Sequence, residues 1–331
     1  MYIIAEVGQA HEGNFEQALS YIEALAKTGV DAVKFQVHIA DAESSEFEPF
    51  RVKLATQDKT RFDYWKRMEF SLDQWKLLKA SCDEKGVEFL ASPFSNAAVD
   101  LLEEVSVQRY KIGSGEITNF LLLEKIAQTG KPVILSSGMS SFAELDKAVN
   151  FLKGKGVTYS ILQCTTAYPT NPENYGLNVI QQLKDRYKVS VGYSDHSAKM
   201  ETCIAAAALG AEILEFHAVF SRNSPGPDAS SSLEMDEIKH LVSAVKNIHL
   251  AQQNPVDKQD NSGFSELKNI FEKSLAVNKD LPAGHILTFD DLESKKPKGY
   301  GIDANRFEEV VGRKLTRGLK QWEFLNEEDI C

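Results

Sequence analysis

Two histidines close two strand-like runs, and their chemistry gives the first indication of function. His196 ends the run Val-Ser-Val-Gly-Tyr-Ser-Asp-His at 189–196, and His217 ends Ile-Leu-Glu-Phe-His at 213–217. The small-residue stretch 205–210 between them predicts a helix, so the two strands are parallel and end on one face. Imidazole is the commonest protein metal ligand, and the pair therefore predicts a site for one divalent cation. Two histidines bonded to loops are the alternative.

Polar residues of complementary chemistry end the other strand-like runs. In chain order they are Glu6, Lys34, Gln36, Ser92, Lys111, Ser114, Glu116, Ser136, Thr166, Tyr168, Ser194 and Glu215. Two lysines among hydroxyls suit a phosphate or carboxylate, and glutamates can hold sugar hydroxyls, position water or move protons. A buried lysine paired with a glutamate is the structural alternative for Lys111, and a turn-forming serine is the alternative for Ser114 and Ser136.

The elements that must position these residues alternate between strand and helix. The strand-like runs are 2–7, 31–38, 87–91, 109–112, 133–135, 159–164, 189–193 and 213–216. Helical stretches lie between them, including one capped by Asn14 and others at 72–85, 121–129, 142–152 and 201–209. Eight such units in about 250 residues predict an α/β fold, a closed (β/α)8 TIM barrel, with all the polar strand ends at one mouth. An open doubly wound sheet would carry Gly-x-Gly-x-x-Gly after its first strand, which the chain lacks.

Two departures from this alternation divide the chain further. The connection from about 38 to 70 is unusually long and aromatic, which predicts a flap over the barrel mouth, with a surface excursion as the alternative. Near 254–263 the composition shifts to Gln, Asn, Pro, Asp and Ser. We therefore predict a barrel domain at 1–253, a linker at 254–265 and a small α+β module at 266–331.

The composition argues against several classes of partner and several cellular locations. The 331 residues carry a formal net charge of -11, which argues against nucleic acid and anionic membranes as partners. The sequence has no long apolar run and begins with a strand pattern rather than a signal peptide. Its four cysteines have no paired metal spacing or disulfide framework, so a reducing cytoplasm is the expected location.

Several motifs, in order along nearly the whole chain, resemble the sialic acid synthase family. They include Ala-Glu-Val-Gly-Gln-Ala-His-Glu-Gly-Asn at 5–14, Val-Lys-Phe-Gln at 33–36, Tyr-Lys-Ile-Gly-Ser-Gly-Glu at 110–116, Gly-Tyr-Ser-Asp-His at 192–196 and Ser-Pro-Gly-Pro-Asp at 224–228. The tail, from Lys-Asp-Leu-Pro-Ala-Gly-His-Ile-Leu-Thr at 279–288, resembles that family's antifreeze-like (SAF, β-clip) domain.

The resemblance implies a carbon–carbon bond-forming transferase. It would condense phosphoenolpyruvate with open-chain N-acetylmannosamine and water to give N-acetylneuraminate and phosphate. In the implied chemistry, C3 of the enol attacks the metal-polarised aldehyde, water captures C2, and phosphate leaves through C–O cleavage. Electrostatic stabilisation should supply most of the acceleration.

The resemblance also implies a role for each site residue. Phosphoenolpyruvate would be held by Lys34, Lys111, Ser92, Ser114, Ser136 and Ser194. His196 and His217 would bind Mn²⁺, with Mg²⁺ or Co²⁺ as other candidates. The sugar would be gripped by Glu6, Gln36, Thr166, Tyr168, Glu215, Asp228 and Lys296. Glu116 would position the water that attacks C2, so Glu116, Glu6 and His217 are the expected catalytic residues.

Three departures from the family pattern leave the acceptor sugar open. Ala10 precedes His11 where members often have Asn, Thr166 stands where many bacterial members have Asn, and Lys296 replaces an arginine. A lysine keeps the charge but loses the planar guanidinium fork. Legionaminic or pseudaminic acid precursors, or a sugar 6-phosphate, are therefore alternative acceptors.

Two further classes of function compete with this one. A deoxy-keto acid phosphate synthase or an aldolase on a bare barrel would lack the C-terminal module. A non-catalytic carbohydrate-binding protein would have no need of Glu116, His196 and His217. As partners we expect the two small-molecule substrates and a second copy of the chain, in a domain-swapped homodimer.

Overall fold

The computed structural model describes residues 1–52 and 58–331, and the chain divides into two compact units, Met1–Asn254 and Pro255–Cys331. In the first unit eight parallel strands lie side by side in chain order, and the eighth pairs with the first, which closes the predicted (β/α)8 barrel. The strands are β1 (Tyr2–Gly8), β2 (Ala32–Val37), β3 (Glu88–Pro93), β4 (Tyr110–Ile112), β5 (Val133–Ser136), β6 (Tyr159–Cys164), β7 (Val191–Asp195) and β8 (Ile213–Val219).

Ten helices belong to the described part of this unit. They are α1 (Phe15–Ala26), α2 (Ala40–Glu43), α3 (Arg61–Met68), α4 (Leu72–Lys85), α5 (Asn96–Val105), α6 (Phe120–Ala127), α7 (Phe142–Gly154), α8 (Asn178–Tyr187), α9 (Met200–Ala208) and α10 (Met235–Gln253). Their apolar faces and the outward strand positions form one large core around the barrel. Asn14 caps α1 as predicted, by accepting from the Gln17 amide at 3.0 Å.

Inside the barrel the strands change character along their length. A separate apolar layer fills the end at which the strands begin, with Ile4, Ala32, Leu90, Ile134, Leu162 and Ile213 as its buried members. Two residues further along β1, β2, β3, β5 and β8, the inward positions are polar, because side chains of a strand alternate between its faces. Those positions are Glu6, Lys34, Ser92, Ser136 and Glu215. The apolar layer therefore forms a plug beneath a polar mouth.

The long connection after β2 contains two helices, α2 and α3, and its residues 53–57 lie outside the described part of the chain. The side chains of Tyr64, Trp65 and Met68 form a small buried cluster with Ala40. A capping box from Thr60 and Asp63 starts α3. The described parts of the predicted flap are thus packed structure with a core of their own.

The second unit has a small core built from short elements. They are α11 (Ser265–Phe271), β9 (Ser274–Val277), β10 (Leu292–Lys295) and α12 (Phe307–Val310), and β9 pairs antiparallel with β10. Two similar turns occur in it, Thr288–Asp291 and Asn326–Asp329, each closed by a buried aspartate that accepts from the backbone of the first residue. The identity of this unit as an antifreeze-like (SAF, β-clip) module stays a prediction.

No helix in the described ranges is long and apolar enough to cross a membrane.

Candidate active site

A cavity of about 730 Å³ opens at the carboxyl ends of the barrel strands. It is lined by every barrel residue that the sequence predicted for the site: Glu6, Lys34, Gln36, Ser92, Lys111, Ser114, Glu116, Ser136, Thr166, Tyr168, Ser194, His196, Glu215, His217 and Asp228. Lys296 lies in the second unit, beside Phe271. The fold therefore brings the predicted barrel residues together.

The floor of the cavity is a cluster of four buried charges. Lys34 Nζ lies 2.5 Å from Glu6 Oε2 and 3.3 Å from Glu215 Oε2, and Lys111 Nζ lies 3.3 Å from Glu215 Oε1. All four residues are at most 3% exposed. Two lysines and two glutamates balance in charge, so the pairing considered as an alternative for Lys111 is present, on the floor of an open cavity.

The two lysines differ in their electrostatics. Burial lowers the pKa of Lys34, but the carboxylates of Glu215 and Glu6 outweigh it and raise that pKa. The pKa of Lys111 is lowered, because burial and the charge of Lys34 together outweigh Glu215. Burial raises the pKa of Glu215, but Lys111 and Lys34 bring it down to about 2. A bound anion would therefore stabilise the charged form of Lys111 in particular.

Hydroxyl groups surround this cluster. Lys111 Nζ donates to Ser136 Oγ at 2.6 Å, Lys34 Nζ to Ser92 Oγ at 3.5 Å, and Ser194 Oγ to Glu215 Oε1 at 2.9 Å. Glu215 Oε2 is buried and has no hydrogen-bond partner among the described residues, although it forms an ion pair with Lys34 Nζ at 3.3 Å. The floor thus contains hydrogen-bonding groups that could bind a ligand.

A glycine lets the backbone approach the hydroxyls on the β5 side. Gly138 N donates to Ser114 Oγ at 3.1 Å. A Cβ at Gly138 would lie 2.3 Å from Thr166 Oγ1 and 2.6 Å from Ser114 Oγ, so a side chain does not fit there. Only glycine, which has no Cβ, therefore fits directly after Ser136 and Ser137.

The two predicted metal ligands face each other, with ring centroids 5.3 Å apart. His196 follows β7, whereas His217 lies within β8 and not at its end, since the strand continues to Val219. His196 Nδ1 lies 3.2 Å from the Thr165 carbonyl oxygen and 3.7 Å from Cys164 Sγ. One ring nitrogen of His196, Nδ1, is thereby oriented by the protein, and Nε2 accepts or donates no hydrogen bond within the described part of the chain.

The electrostatic surroundings of the two rings are unequal. Burial lowers the pKa of His196, but Cys164 and Asp195 raise it to about 9. Burial also lowers the pKa of His217, and there it outweighs the carboxylates of Glu6 and Asp228. His217 is thus the ring more readily available in its neutral, ligating form.

The donor set fits a weakly held cation better than a closed structural site. Among the residues that the structure describes, no group of three or more His, Cys, Asp or Glu side chains could hold a metal ion. Two imidazoles supply two nitrogens, and substrate oxygens and water can supply the other ligands of Mn²⁺ or a similar ion. A cation bound in this way would remain open to substrate.

Glu116 lies in a short 3-10 turn, Ser114–Glu116, that directly follows β4. Burial raises the pKa of its carboxyl, Asn119 opposes this by donating to Oε2 at 2.7 Å, and the charge of Glu43 raises the pKa further. A carboxylate with a raised pKa is a better proton acceptor than an ordinary glutamate, which suits a residue that activates water.

The cavity also contains residues that the sequence analysis missed. They are mainly in the connection after β2 and include Gln9, His38, Glu43, Glu48, Arg51, Arg61, Arg67, Phe94 and Cys164. His38 continues the alternation of Lys34 and Gln36, and that signal could have identified it. The arginines of the connection have no such periodic signal.

Arg51 covers two of the predicted sugar-binding residues. Its guanidinium carbon lies 4.1 Å from the centroid of the Tyr168 ring, and Nη2 donates to Asp228 Oδ1 at 2.6 Å. Tyr168 and Asp228 are therefore paired with a side chain of the connection after β2.

Comparison with known proteins places the chain among sugar acid synthases. A model of the NeuB family matches residues 21–257. The N,N'-diacetyllegionaminic acid synthase of Campylobacter jejuni is 36% identical over 331 residues, 98% of each chain. The human N-acetylneuraminate-9-phosphate synthase is 34% identical over 340 residues, covering 99% of this chain and 92% of the relative.

Solved structures agree with this placement. The N-acetylneuraminic acid (sialic acid) synthetase of Leptospira borgpetersenii, solved with citrate, superposes with a TM-score of 0.71 at 33% identity, over 81% of this chain and 90% of that one. A truncated 3-deoxy-D-arabino-heptulosonate 7-phosphate synthase of Thermotoga maritima superposes with a TM-score of 0.59 at 16% identity, and this likeness concerns the fold alone.

Proposed function

The chain belongs to the NeuB family of sugar acid synthases, and from that premise we propose that it condenses phosphoenolpyruvate with an N-acylated mannosamine-type aldose. Water is the third reactant, and phosphate and a nine-carbon 2-keto acid are the products. The observation that carries the proposal is the floor of the cavity, where Lys34 and Lys111 lie in a ring of serines at the same barrel mouth as His196 and His217.

The lysines and serines would bind phosphoenolpyruvate. This anion has no hydrogen-bond donor in its fully ionised form, so its binding site must supply cations and hydroxyl donors. The floor of the cavity contains both. Lys111 gains most from the anion, because burial and the charge of Lys34 together lower its pKa. The anion would thus be held where Ser136 and Ser114 already point their hydroxyls.

His196 and His217 would hold a divalent cation, Mn²⁺ first among the candidates. When bound, such a cation acts as a Lewis acid that polarises the carbonyl oxygen of the aldehyde. The residues themselves orient the site: Thr165 fixes His196 through its carbonyl oxygen, and Asp228 Oδ2 lies 4.0 Å from His217 Nδ1.

Glu116 would orient the water that adds to C2 of the enol unit and accept its proton. Its carboxylate borders the cavity, its raised pKa favours proton uptake, and Asn119 limits its rotation. The tetrahedral carbon formed at C2 would then lose phosphate with cleavage of the C–O bond.

The test is turnover by the purified full chain with phosphoenolpyruvate, Mn²⁺ and N-acetylmannosamine, read out as phosphate release and product mass. Excess chelator should abolish turnover, and added Mn²⁺ should restore it. His196→Ala and His217→Ala should each abolish turnover and sharply weaken Mn²⁺ binding measured directly by calorimetry. His240→Ala, which changes an exposed histidine on α10, is the matched control and should behave as the wild type.

Two results would contradict the proposal in different ways. Full activity in excess chelator would show that turnover needs no metal ion. A panel of N-acylated aldoses would include legionaminic and pseudaminic acid precursors and 6-phosphates. If none of them gave phosphate release, the chain would not catalyse the condensation, and a carbohydrate-binding protein would be favoured.

A further inference from the structure

The buried side chains of His38 and Glu43 form part of the cavity wall, and neither has a role in the proposed reaction. His38, directly after β2, is sandwiched between the rings of Trp65 and Phe94, with centroid distances of 3.8 Å and 4.5 Å. Its Nδ1 lies 2.5 Å from Oε1 of Glu43, and the two side chains are 4% and 8% exposed. Stacking on both faces fixes the ring, and the ring in turn fixes the carboxyl group.

The direction of the neighbouring hydrogen bonds determines which nitrogen of His38 carries a proton. Gln36 Nε2 donates to the carboxylate oxygen Glu6 Oε1 at 2.8 Å, so the amide oxygen of Gln36 must face the other way. That oxygen accepts from Gln9 Nε2 at 2.8 Å and lies 3.2 Å from His38 Nε2. His38 Nε2 therefore carries a hydrogen and donates it to Gln36.

The short contact between His38 Nδ1 and Glu43 Oε1 then needs one more proton. That proton gives either an imidazolium with a carboxylate or a neutral imidazole with a carboxylic acid. In both cases the second oxygen, Glu43 Oε2, is a hydrogen-bond acceptor. This oxygen is buried and has no hydrogen-bond partner among the described residues, and Glu43 lines the cavity. An unpaired buried acceptor is unfavourable, so a ligand that donates to it gains affinity.

The wall around this acceptor offers little to an anion. The nearby arginines of the connection after β2 already have carboxylate partners: Arg61 pairs with Glu48 at 3.0 Å, and Arg67 pairs with Asp58 at 2.9 Å and with Glu12 at 3.2 Å. Arg51, the other arginine of this connection that is described in the cavity lining, is likewise paired, with Asp228 at 2.6 Å. The proposed function assigns the floor lysines to phosphoenolpyruvate. An uncharged hydroxyl or amide N–H is the ligand group that matches Glu43.

We propose that Glu43, held in place by His38, is a specificity-determining residue that accepts a hydrogen bond from an O–H or N–H of the acceptor sugar. It selects an aldose with an uncharged donor at that point over an aldose that is phosphorylated there. The inference rests on the proposed function for the identity of the second ligand as a sugar. A fully ionised phosphate at this wall would face an acceptor with which it forms no hydrogen bond, and it would be repelled by the carboxylate of Glu116, which also borders the cavity.

The test compares two substitutions at Glu43. Glu43→Met keeps the length of the side chain and removes the acceptor, so the KM for N-acetylmannosamine should rise about ten-fold or more, with the KM for phosphoenolpyruvate unchanged. The ratio of kcat/KM for N-acetylmannosamine to that for its 6-phosphate should fall by a similar factor. Glu43→Gln should retain most of the wild-type preference, because neutral His38 can accept from the amide and leave its oxygen facing the cavity.

Glu48→Met is the matched control, since Glu48 belongs to the same connection and also lines the cavity. Both of its carboxylate oxygens already have partners, Arg61 at Oε1 and Ser44 and Trp65 at Oε2, in contrast to Glu43 Oε2. This variant should lower the thermal stability of the connection without changing the preference between the two aldoses. Thermal unfolding of each variant shows whether a loss of activity reflects a loss of fold.

Several outcomes would overturn the inference. An unchanged aldose KM and an unchanged preference in Glu43→Met would show that the acceptor contacts no sugar. An equal loss of kcat in Glu43→Met and Glu43→Gln, at unchanged KM values, would mean that the charge of Glu43 takes part in the reaction. Calorimetric binding of N-acetylmannosamine, weaker in Glu43→Met than in the wild type, tests the contact even if no turnover occurs. Failure of the proposed function is thus separable from failure of this inference.

Discussion

The buried charges on the cavity floor are better explained by ligand binding than by stability. Removing charges from water costs several kcal/mol per ion, and pairing regains that cost only when geometry and hydrogen bonding are favourable. Lys34 and Glu6 meet this condition at 2.5 Å, but Glu215 Oε2 is left without a hydrogen-bond partner. The cluster therefore has a hydrogen-bond acceptor that the described residues leave unused.

Replacing Lys111 should weaken the binding of phosphoenolpyruvate. Lys111→Ala removes a charge-assisted partner of a confined anion, worth roughly 2–4 kcal/mol, so the apparent KM for phosphoenolpyruvate should rise at least thirty-fold. Steady-state kinetics with both substrates varied would measure it. Lys131→Ala is the control, because Lys131 pairs with Glu103 just before β5 starts, at the other end of the barrel. A rise confined to the KM for the sugar would show that Lys111 does not contact the anion.

The site was predictable from the sequence where it rests on regular strands. Alternation along β2 placed Lys34 and Gln36 on one face, and the structure shows both lining the cavity. The same rule extended by two residues reaches His38. Glu43 and Arg51 could not be found in this way, because they lie beyond β2 in a connection whose path is set by tertiary packing of Tyr64 and Trp65 and not by periodicity.

At the scale of elements, the strand order was predictable and the element ends were less so. The predicted helix at 72–85 coincides with α4, which has a capping box at Ser71 and a left-handed Gly86 after its last residue. The predicted helix at 121–129 is α6, Phe120–Ala127, capped by Asn119. Strong caps fix an end locally, whereas an end without them depends on the surrounding packing.

Helix α8 shows such an end, and it offers a test. Its C-terminal residue is followed by Lys188, which has φ of 53° and ψ of 42°, a left-handed conformation that costs a residue with a Cβ about 1–2 kcal/mol. Lys188→Gly should raise the free energy of unfolding by about 0.5–1 kcal/mol, after allowance for the greater freedom of glycine in the unfolded chain. Denaturant unfolding would measure the change.

The control for this prediction is Lys188→Ala. The side chain of Lys188 is 74% exposed and contacts only Asp185, at 3.6 Å, among its described ion-pair partners. Such a contact is worth little, so alanine, which keeps the Cβ, should leave stability nearly unchanged. Equal stabilisation by glycine and alanine would show that the lysine charge, and not backbone strain, is responsible.

At the scale of the whole molecule, the chain consists of a barrel that contains the cavity and a second unit with its own small core. That core includes Leu275, Val277, Leu287, Leu319 and Leu325. The composition shift near 254 and the change from long helices to short strands made a second module predictable. Its family could be suggested only by resemblance, because short elements and turns have too little periodicity to define a fold.

The second unit also carries apolar side chains that its own core does not cover. Phe264, Leu267, Ile270 and Phe271, on and beside α11, are all exposed. Their spacing places several of them on one side of the helix. Contiguous exposed apolar residues commonly mark a protein–protein contact, which supports the expected association of two copies of the chain.

We expect a homodimer in which Lys296 of one chain completes the sugar pocket of the other, since exchange of identical elements is a low-cost route to a two-fold dimer. Glu116→Ala and Lys296→Glu chains should each be inactive alone, and a mixture that exchanges subunits should recover part of the activity. One site of the mixed dimer then combines an intact barrel with an intact tail. A tail that serves its own barrel would leave one defect in every site. Mass measurement of the mixed dimer establishes exchange, and no recovery in its presence would rule out the swapped arrangement.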